Sequence, residues 1–238
     1  MTSTSLSAIP EQASGSAKLR SIDLTGPAGR LEAVLNEGAP EAPFAALICH
    51  PHPKGGGTLH NKVVYHAMKA LNAPQFGLRW PVLRFNFRGT GLSEGTHDGR
   101  AETGDVQAAI CWLDNEYKKP IVVAGFSFGA AMALDTCCNL TANQSRSMGI
   151  YALAALGLPT RAEGRRYQYA FLNQCSRPKL FLSGDQDQFA PAGDLRQVAA
   201  IASEPKKLVL LPGADHFFAG QLEAMQYALA DWLKEQIS

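Results

Sequence analysis

One short stretch restricts the folding options of this chain more than any other. Pro120-Ile121-Val122-Val123-Ala124-Gly125-Phe126-Ser127-Phe128-Gly129-Ala130-Ala131 is a continuous apolar run that gives way to a run of small residues. An unbroken apolar strand is covered on both faces, which is the situation of a central strand in a parallel sheet. The residues after it suit a helix packed close to that strand. Between them sits G-x-S-x-G, and Gly at the second position on either side of Ser127 lets strand and helix approach across a sharp turn. Such a turn lifts the Ser127 hydroxyl out of the sheet and aims it at a helix N-terminus, where backbone N–H groups favour negative charge.

The rest of the chain repeats the alternation. Leu19–Leu24 and Arg30–Leu35 flank Gly26-Pro27-Ala28-Gly29 and read as a hairpin. Strands are then expected at Ala45–Cys49, Val82–Phe87, Ile121–Phe126, Tyr151–Leu156, Leu180–Leu182 and Leu208–Leu211. Helical spacing falls between them. It runs through Val63, Met68 and Leu71; through Val106, Ala109, Ile110 and Leu113; over Phe128–Leu140 and Leu195–Ile201; and through Leu222, Met225, Leu229 and Trp232. Strands alternating with helices predict a mostly parallel eight-stranded α/β sheet with right-handed crossovers and helices on both faces. No repeat or linker divides it, so residues 18–238 are expected to form one domain behind a flexible tail, Met1–Ala17. That tail has neither the basic nor the apolar region of a signal peptide.

A serine hydroxyl needs a base, and the base needs an orienting carboxylate. With the nucleophile on this kind of turn, the acid and then the base should follow along the chain, each after a strand. Downstream of Ser127 the histidine is His216, between the last strand and the last helix. The carboxylate should follow the strand around Leu180–Leu182, where Asp185 and Asp187 compete. Asp187 is favoured, because the chain needs some residues to reach the top of the sheet. Asp185, directly after Gly184, suits a turn bond to its own backbone.

Stabilising an oxyanion takes two N–H donors. Phe128, next after the nucleophile, should give one, and the loop Cys49-His50-Pro51-His52-Pro53-Lys54-Gly55-Gly56-Gly57 the other. The prolines carry no N–H, which narrows the donors to His52, Lys54 or the glycines; His52 is favoured, with Gly55 second. His50 and His52, with His60 and His66 nearby, also raise a metal site. Yet no Asp, Glu or Cys stands at ligand spacing, so neither metal nor cofactor is expected. Neither the Lys54 loop nor Gly89-Thr90-Gly91-Leu92-Ser93-Glu94-Gly95 matches a phosphate-binding or dinucleotide fingerprint.

Taken together, these motifs resemble small, lidless bacterial α/β-hydrolases, in the branch with a His-Pro-His-Pro-x-x-Gly-Gly loop. The likeness rests on His50–Pro53 with Gly55 and Gly56, on Asn61-Lys62-Val63-Val64 and on Arg84-Phe85-Asn86-Phe87-Arg88-Gly89. Gly125–Gly129, Gly184 with Asp187, and His216 extend it, so that it runs from about Lys18 to the C-terminus. The resemblance implies a Ser127–Asp187–His216 triad, an α/β-hydrolase fold without a cap domain, and esterase activity on small acyl groups. The same parts could serve a thioesterase or an acyltransferase, or a binding protein of this fold that has lost catalysis. Ala190 departs from the branch, where a bulkier apolar residue is usual.

The segment Pro159–Arg177 is too short for a multi-helix cap, so an open site is expected. Phe128, Phe189, Phe217 and Phe218 are placed to line a modest apolar pocket, and Arg161, Arg165 and Arg166 lie near it, either as a solvated face or as an attraction for an anionic substrate. Lys and Arg number 22 against 21 Asp and Glu, which leaves no electrostatic footprint for nucleic acid or an anionic membrane surface. No apolar run approaches the ~20 residues of a membrane span. The five cysteines, Cys49, Cys111, Cys137, Cys138 and Cys175, form no recognisable disulfide framework, which suits a cytoplasmic protein, monomeric or homodimeric.

Overall fold

The computed structural model describes residues 18–139, 148–162 and 165–237. The predicted N-terminal tail and Leu140, the expected end of the helix after Ser127, lie outside the described residues.

Ten strands and five α-helices are described, in this order: β1 (Leu19–Gly26), β2 (Gly29–Asn36), β3 (Ala45–Cys49), α1 (Lys62–Asn72), β4 (Val82–Phe85), α2 (Glu102–Tyr117), β5 (Ile121–Phe126), α3 (Phe128–Cys138), β6 (Ile150–Leu156), β7 (Arg161–Ala162), β8 (Arg165–Arg166), β9 (Lys179–Gly184), α4 (Ala192–Ile201), β10 (Lys206–Leu211) and α5 (Leu222–Ile237). Eight strands form one sheet in the order β1-β2-β4-β3-β5-β6-β9-β10. The hairpin β1–β2 runs antiparallel and meets β4 antiparallel, while every pairing from β4 across to β10 is parallel. This is the α/β-hydrolase fold that the resemblance implied.

Continuous apolar strands produce two cores, one on each face. Odd-register residues such as Leu47, Leu83, Val123 and Phe181 pack beneath α2, α3 and α4. Their neighbours Ile48, Val82, Ala124, Leu180 and Leu182 pack beneath α1 and α5. In α1 the Asn61 side chain accepts from the N–H groups of Val63 and Val64, closing the helix start. Where β6 ends, a cap would have to be inserted. The described residues there hold only the two-residue pairing of β7 with β8 and a 3₁₀ turn, Ala170–Gln174. No helix among the described residues is long and apolar enough to cross a membrane.

Several boundaries move. β4 stops at Phe85 instead of Phe87, because the N–H groups of Asn86 and Phe87 turn to Glu32 and to the His50 ring. β9 and β10 start earlier than their apolar runs, through Lys179, Lys206 and Lys207; Lys179 is buried and its ammonium reaches the Ser203 carbonyl at 2.8 Å. The cysteines bring a correction. Cys138, at the end of α3, is disulfide-bonded to Cys175, with Cα atoms 5.1 Å apart, while Cys49, Cys111 and Cys137 are free. The fold alone brings this pair together, so spacing could not reveal it, and the cysteines no longer argue for a reducing compartment.

Candidate active site

The turn after β5 is tight enough to explain its glycines. A Cβ on Gly125 would stand 2.4 Å from the Gly129 carbonyl, and one on Gly129 would stand 2.4 Å from the Cys49 carbonyl oxygen. Ser127 itself is held at φ 54°, ψ −121°, an unfavourable conformation for any residue with a side chain. Its N–H donates to the Leu156 carbonyl on β6, and its own carbonyl starts the α3 ladder by accepting from Ala130. The side chain therefore has nowhere to go but out over the C-terminal edge of the sheet.

There the structure brings Ser127, His216 and Asp187 together. His216 Nε2 lies 3.0 Å from Ser127 Oγ and His216 Nδ1 lies 2.8 Å from Asp187 Oδ2. Asp187 is 2% exposed and is gripped on every side. Besides His216, its oxygens accept from the Ser183 hydroxyl at 2.8 Å and from the N–H groups of Phe189 and Ala190 at 2.8 and 3.0 Å. Burial alone would raise the carboxyl's pKa, but the hydrogen bonds from His216, Ser183 and Phe189 outweigh it and hold it below the usual range. The imidazole is walled in by Phe126, Phe189 and Phe217, with ring centroids 5.0, 4.7 and 5.1 Å away. An ionised carboxylate on Nδ1 leaves Nε2 to face the hydroxyl as an acceptor, which is the arrangement a general base requires.

Asp185 has a different task. Its Oδ1 accepts from the Gly213 N–H at 2.7 Å, tying the turn after β9 to the turn after β10 instead of closing on its own backbone. His216 hangs from that second turn, so Asp185 braces the loop and Asp187 holds the ring.

The loop after β3 lies on the opposite side of Ser127. The Lys54 N–H donates to His52 Nδ1 and the Gly55 N–H to the His52 carbonyl, which engages the alternative donor in the local turn. His52 and Phe128 both line the space in front of Ser127, and their rings meet edge to face at 5.0 Å. Phe128 opens α3, so its N–H has no preceding helical carbonyl. His50 lies beneath. It is fully buried, its Nδ1 bonds the Pro51 carbonyl at 2.6 Å, and its Nε2 accepts from the Phe87 N–H at 2.9 Å. Burial lowers its pKa to about 4, so it works as a neutral strut between two loops. His66 is bonded to Gln226, and among the described residues no group of His, Cys, Asp and Glu could hold a metal ion.

Several residues at the site carried no sequence signal. Ser183, at the end of β9, is a second anchor for Asp187. His97 packs against the rings of both His52 and Phe128, at 4.7 and 5.5 Å, and its Nδ1 lies 2.6 Å from the fully buried Glu102. A histidine followed five residues later by a glutamate has no recognisable spacing until a loop folds it onto a helix start. Gly157, with φ 54°, passes directly under His216.

The cavity at Ser127 measures about 130 Å³ and is lined by His52, Asn61, Phe128, Ala162, Phe189 and Phe217, among others. Phe218 corrects the expectation. It is fully buried, turned into the α5-side core near Phe126, and takes no part in the pocket. Arg161 pairs with Asp194 at 3.4 Å, beside the site.

Known proteins resemble this chain along most of its length. A solved α/β serine hydrolase homologue from Coxiella burnetii is 33% identical, with a TM-score of 0.78 over 90% of this chain and 97% of that one. A serine hydrolase without a lid from Xanthomonas campestris is 28% identical, with a TM-score of 0.76 over 92% and 94%. An uncharacterised protein of Rickettsia prowazekii is 34% identical over 221 residues, 89% of this chain and 87% of its own length. The alpha/beta hydrolase domain family matches residues 53–235, from the loop after β3 through most of the closing helix, and the chain belongs to that family.

Proposed function

We propose that the protein is a serine esterase that cleaves small carboxylic esters through an acyl-enzyme on Ser127, in the branch carrying the His-Pro-His-Pro loop. The observation that carries this reading is the unbroken chain of hydrogen bonds from Asp187 through His216 to Ser127 Oγ, at 2.8 and 3.0 Å. In this reading Ser127 Oγ attacks the ester carbonyl while His216 Nε2 takes the hydroxyl proton. The carbonyl oxygen becomes an oxyanion held by the N–H groups of His52 and Phe128. His216 returns the proton to the departing alkoxide, which leaves as an alcohol. A water then attacks the acyl-enzyme, its proton passes to His216, and the carboxylic acid is released as Ser127 regains a proton. Asp187 keeps Nε2 facing the nucleophile and stabilises the imidazolium that forms in each step.

The acyl group's size follows from the cavity. About 130 Å³ between Ala162, Phe189 and Phe217 takes a short chain, and with no cap above it a longer chain extends into water. Methylenes beyond the pocket then gain little of the ~0.8 kcal/mol that each would gain on full burial. The test is kcat/KM on p-nitrophenyl esters from acetyl to palmitoyl, and the expected result is a maximum at two to four carbons, roughly. A steady rise to palmitoyl would refute the short-chain reading.

A further inference from the structure

Among the described residues, the guanidinium groups of Arg20, Arg30, Arg88 and Arg161 face carboxylates, and those of Arg84 and Arg177 are bonded to side-chain or backbone oxygens. The side chains of Arg79, Arg100, Arg166 and Arg196 have no such partner among the described residues. Two of these four converge. Arg100, just before α2, and Arg166, on β8, line one cavity of about 410 Å³ over the outer face of α3. Its wall includes Tyr167, and Tyr167 also lines the cavity at Ser127, so the two spaces adjoin across one side chain. Tyr167 and Tyr169 lie parallel within 7°, with centroids 6.2 Å apart; Tyr169 is buried, and Tyr167, half-buried, presents aromatic surface there. Asp135, the acid on that wall, receives a hydrogen bond from the Asn139 side chain.

Two arginines against the single carboxylate of Asp135 leave the described lining of this cavity net positive beside a reaction centre, which attracts an anion locally even where the whole molecule carries a net charge of only +1. The guanidinium is planar and weakly hydrated, and it suits carboxylate and phosphate oxygens better than an ammonium does. From this placement we infer that the cavity between Arg100 and Arg166 is an anion subsite of the same reaction centre, and that the substrate is an ester or thioester bearing a carboxylate or phosphate group remote from the scissile bond. This rests on the esterase reading of Ser127 and narrows its substrate class. The neutral end of the substrate lies in the small pocket at Ser127, and the charged end passes Tyr167 to reach the arginines. The anion can belong to the acyl part or to the leaving group; the chemistry that recognises it is the same.

Three substrates separate these cases: p-nitrophenyl acetate as the neutral reference, p-nitrophenyl hemisuccinate with a carboxylate on the acyl part, and acetyl-coenzyme A with phosphates on the leaving group. Wild type, Arg100→Gln, Arg166→Gln, the double variant and Arg196→Gln are compared on each. Arg196, on α4, has no such partner among the described residues and controls for net charge. The exposed guanidinium groups should contribute roughly three- to fivefold each. The double variant is therefore expected to lose about tenfold or more in kcat/KM on one anionic substrate, through KM, and to stay within about twofold on p-nitrophenyl acetate. Loss on hemisuccinate places the charge on the acyl part, and loss on acetyl-coenzyme A places it on the leaving group. Equal effects on charged and neutral substrates, or an equal effect of Arg196→Gln, overturn the subsite. Calorimetric binding of monomethyl succinate and of coenzyme A to Ser127→Ala gives a readout independent of turnover. If wild type hydrolyses none of the esters, the catalytic reading fails, while binding that the double variant abolishes still upholds the subsite. Failure of both ligands to bind, or binding that the double variant retains, overturns it.

Discussion

Replacing Gly157 by alanine perturbs the base without replacing any titratable group. Gly157 follows β6 at φ 54°, and a Cβ there would stand 3.0 Å from Phe126 Cε2 and 3.2 Å from both Cε1 and Nδ1 of His216. Neither ring can retreat easily. Phe126 is fully buried, and His216 is confined by Phe189, by Phe217 and by its bond to Asp187. Restoring ordinary contact needs a ring displacement of roughly 0.3–0.4 Å, which loosens the 3.0 Å bond to Ser127 Oγ. A misplacement of 1 Å costs about a hundredfold in rate, so the shift should lower kcat/KM about five- to tenfold. The left-handed backbone adds a separate cost of ~1–2 kcal/mol in stability, or about 3–6 °C in Tm for a domain this size. Gly77 separates the two effects, because its φ is 79° and its Cβ would meet nothing within 4 Å. Both variants should melt earlier, Gly157→Ala by more because its Cβ also displaces rings, and only Gly157→Ala should lose turnover on p-nitrophenyl acetate. Equal activity in the two variants would refute the argument that Gly157 sets the position of His216.

Three further outcomes follow, two from the acid and one from the crosslink. Asp187→Asn should lower kcat by orders of magnitude, while Asp185→Asn should cost mainly stability, since Asp185 holds the Gly213 turn and not the ring. Because the Asp187 carboxyl is held below its usual range in the folded state, its stabilising contribution is complete above the unfolded carboxyl pKa and is lost as pH falls through the folded value. Melting curves of wild type and Asp187→Asn should therefore converge as pH drops below about 4, and a constant gap would contradict this. The Cys138–Cys175 crosslink spans 37 residues, and chain entropy gives it about 4 kcal/mol. Cys138→Ser should lower Tm by about 10 °C and leave kcat/KM unchanged, because an 11-residue helix puts it roughly 16 Å from Ser127. Unchanged melting would mean that the two thiols are not joined.

What could be read from the sequence was what repeats or what chemistry forces into one order. Six of the eight sheet strands were visible as apolar runs, because a sheet covered on both faces leaves no alternation to misread, and the β1–β2 hairpin was visible from its turn. Ser127 and His216 were visible because a strand–nucleophile–helix turn restricts where each partner can stand in the chain. Asp187 could be favoured over Asp185 only by position; what distinguishes the two carboxylates lies in the loops. Asp187 Oδ1 collects the Phe189 and Ala190 N–H groups while Oδ2 meets Ser183 and His216. Contacts between distant segments left no mark. Cys138 with Cys175, His97 with Glu102, and Gly157 beneath His216 all depend on how loops cross the C-terminal edge of the sheet. Phe218 was misplaced for a related reason. Adjacent aromatics on a turn face opposite ways, and only Phe217 looks outward, at 49% exposure.

In the proposed mechanism, Ser127 is a nucleophile activated by His216. Labelling with a fluorophosphonate probe, followed by peptide mass analysis, measures this most directly. A probe of this kind reacts with a serine only when a neighbouring base and an oxyanion site activate it. Wild type should carry one adduct, on the peptide containing Ser127, and Ser127→Ala should carry none while melting at the wild-type temperature. His216→Ala should slow labelling by a thousandfold, roughly. An adduct on another serine, or labelling of Ser127 at the wild-type rate without His216, would contradict the claim.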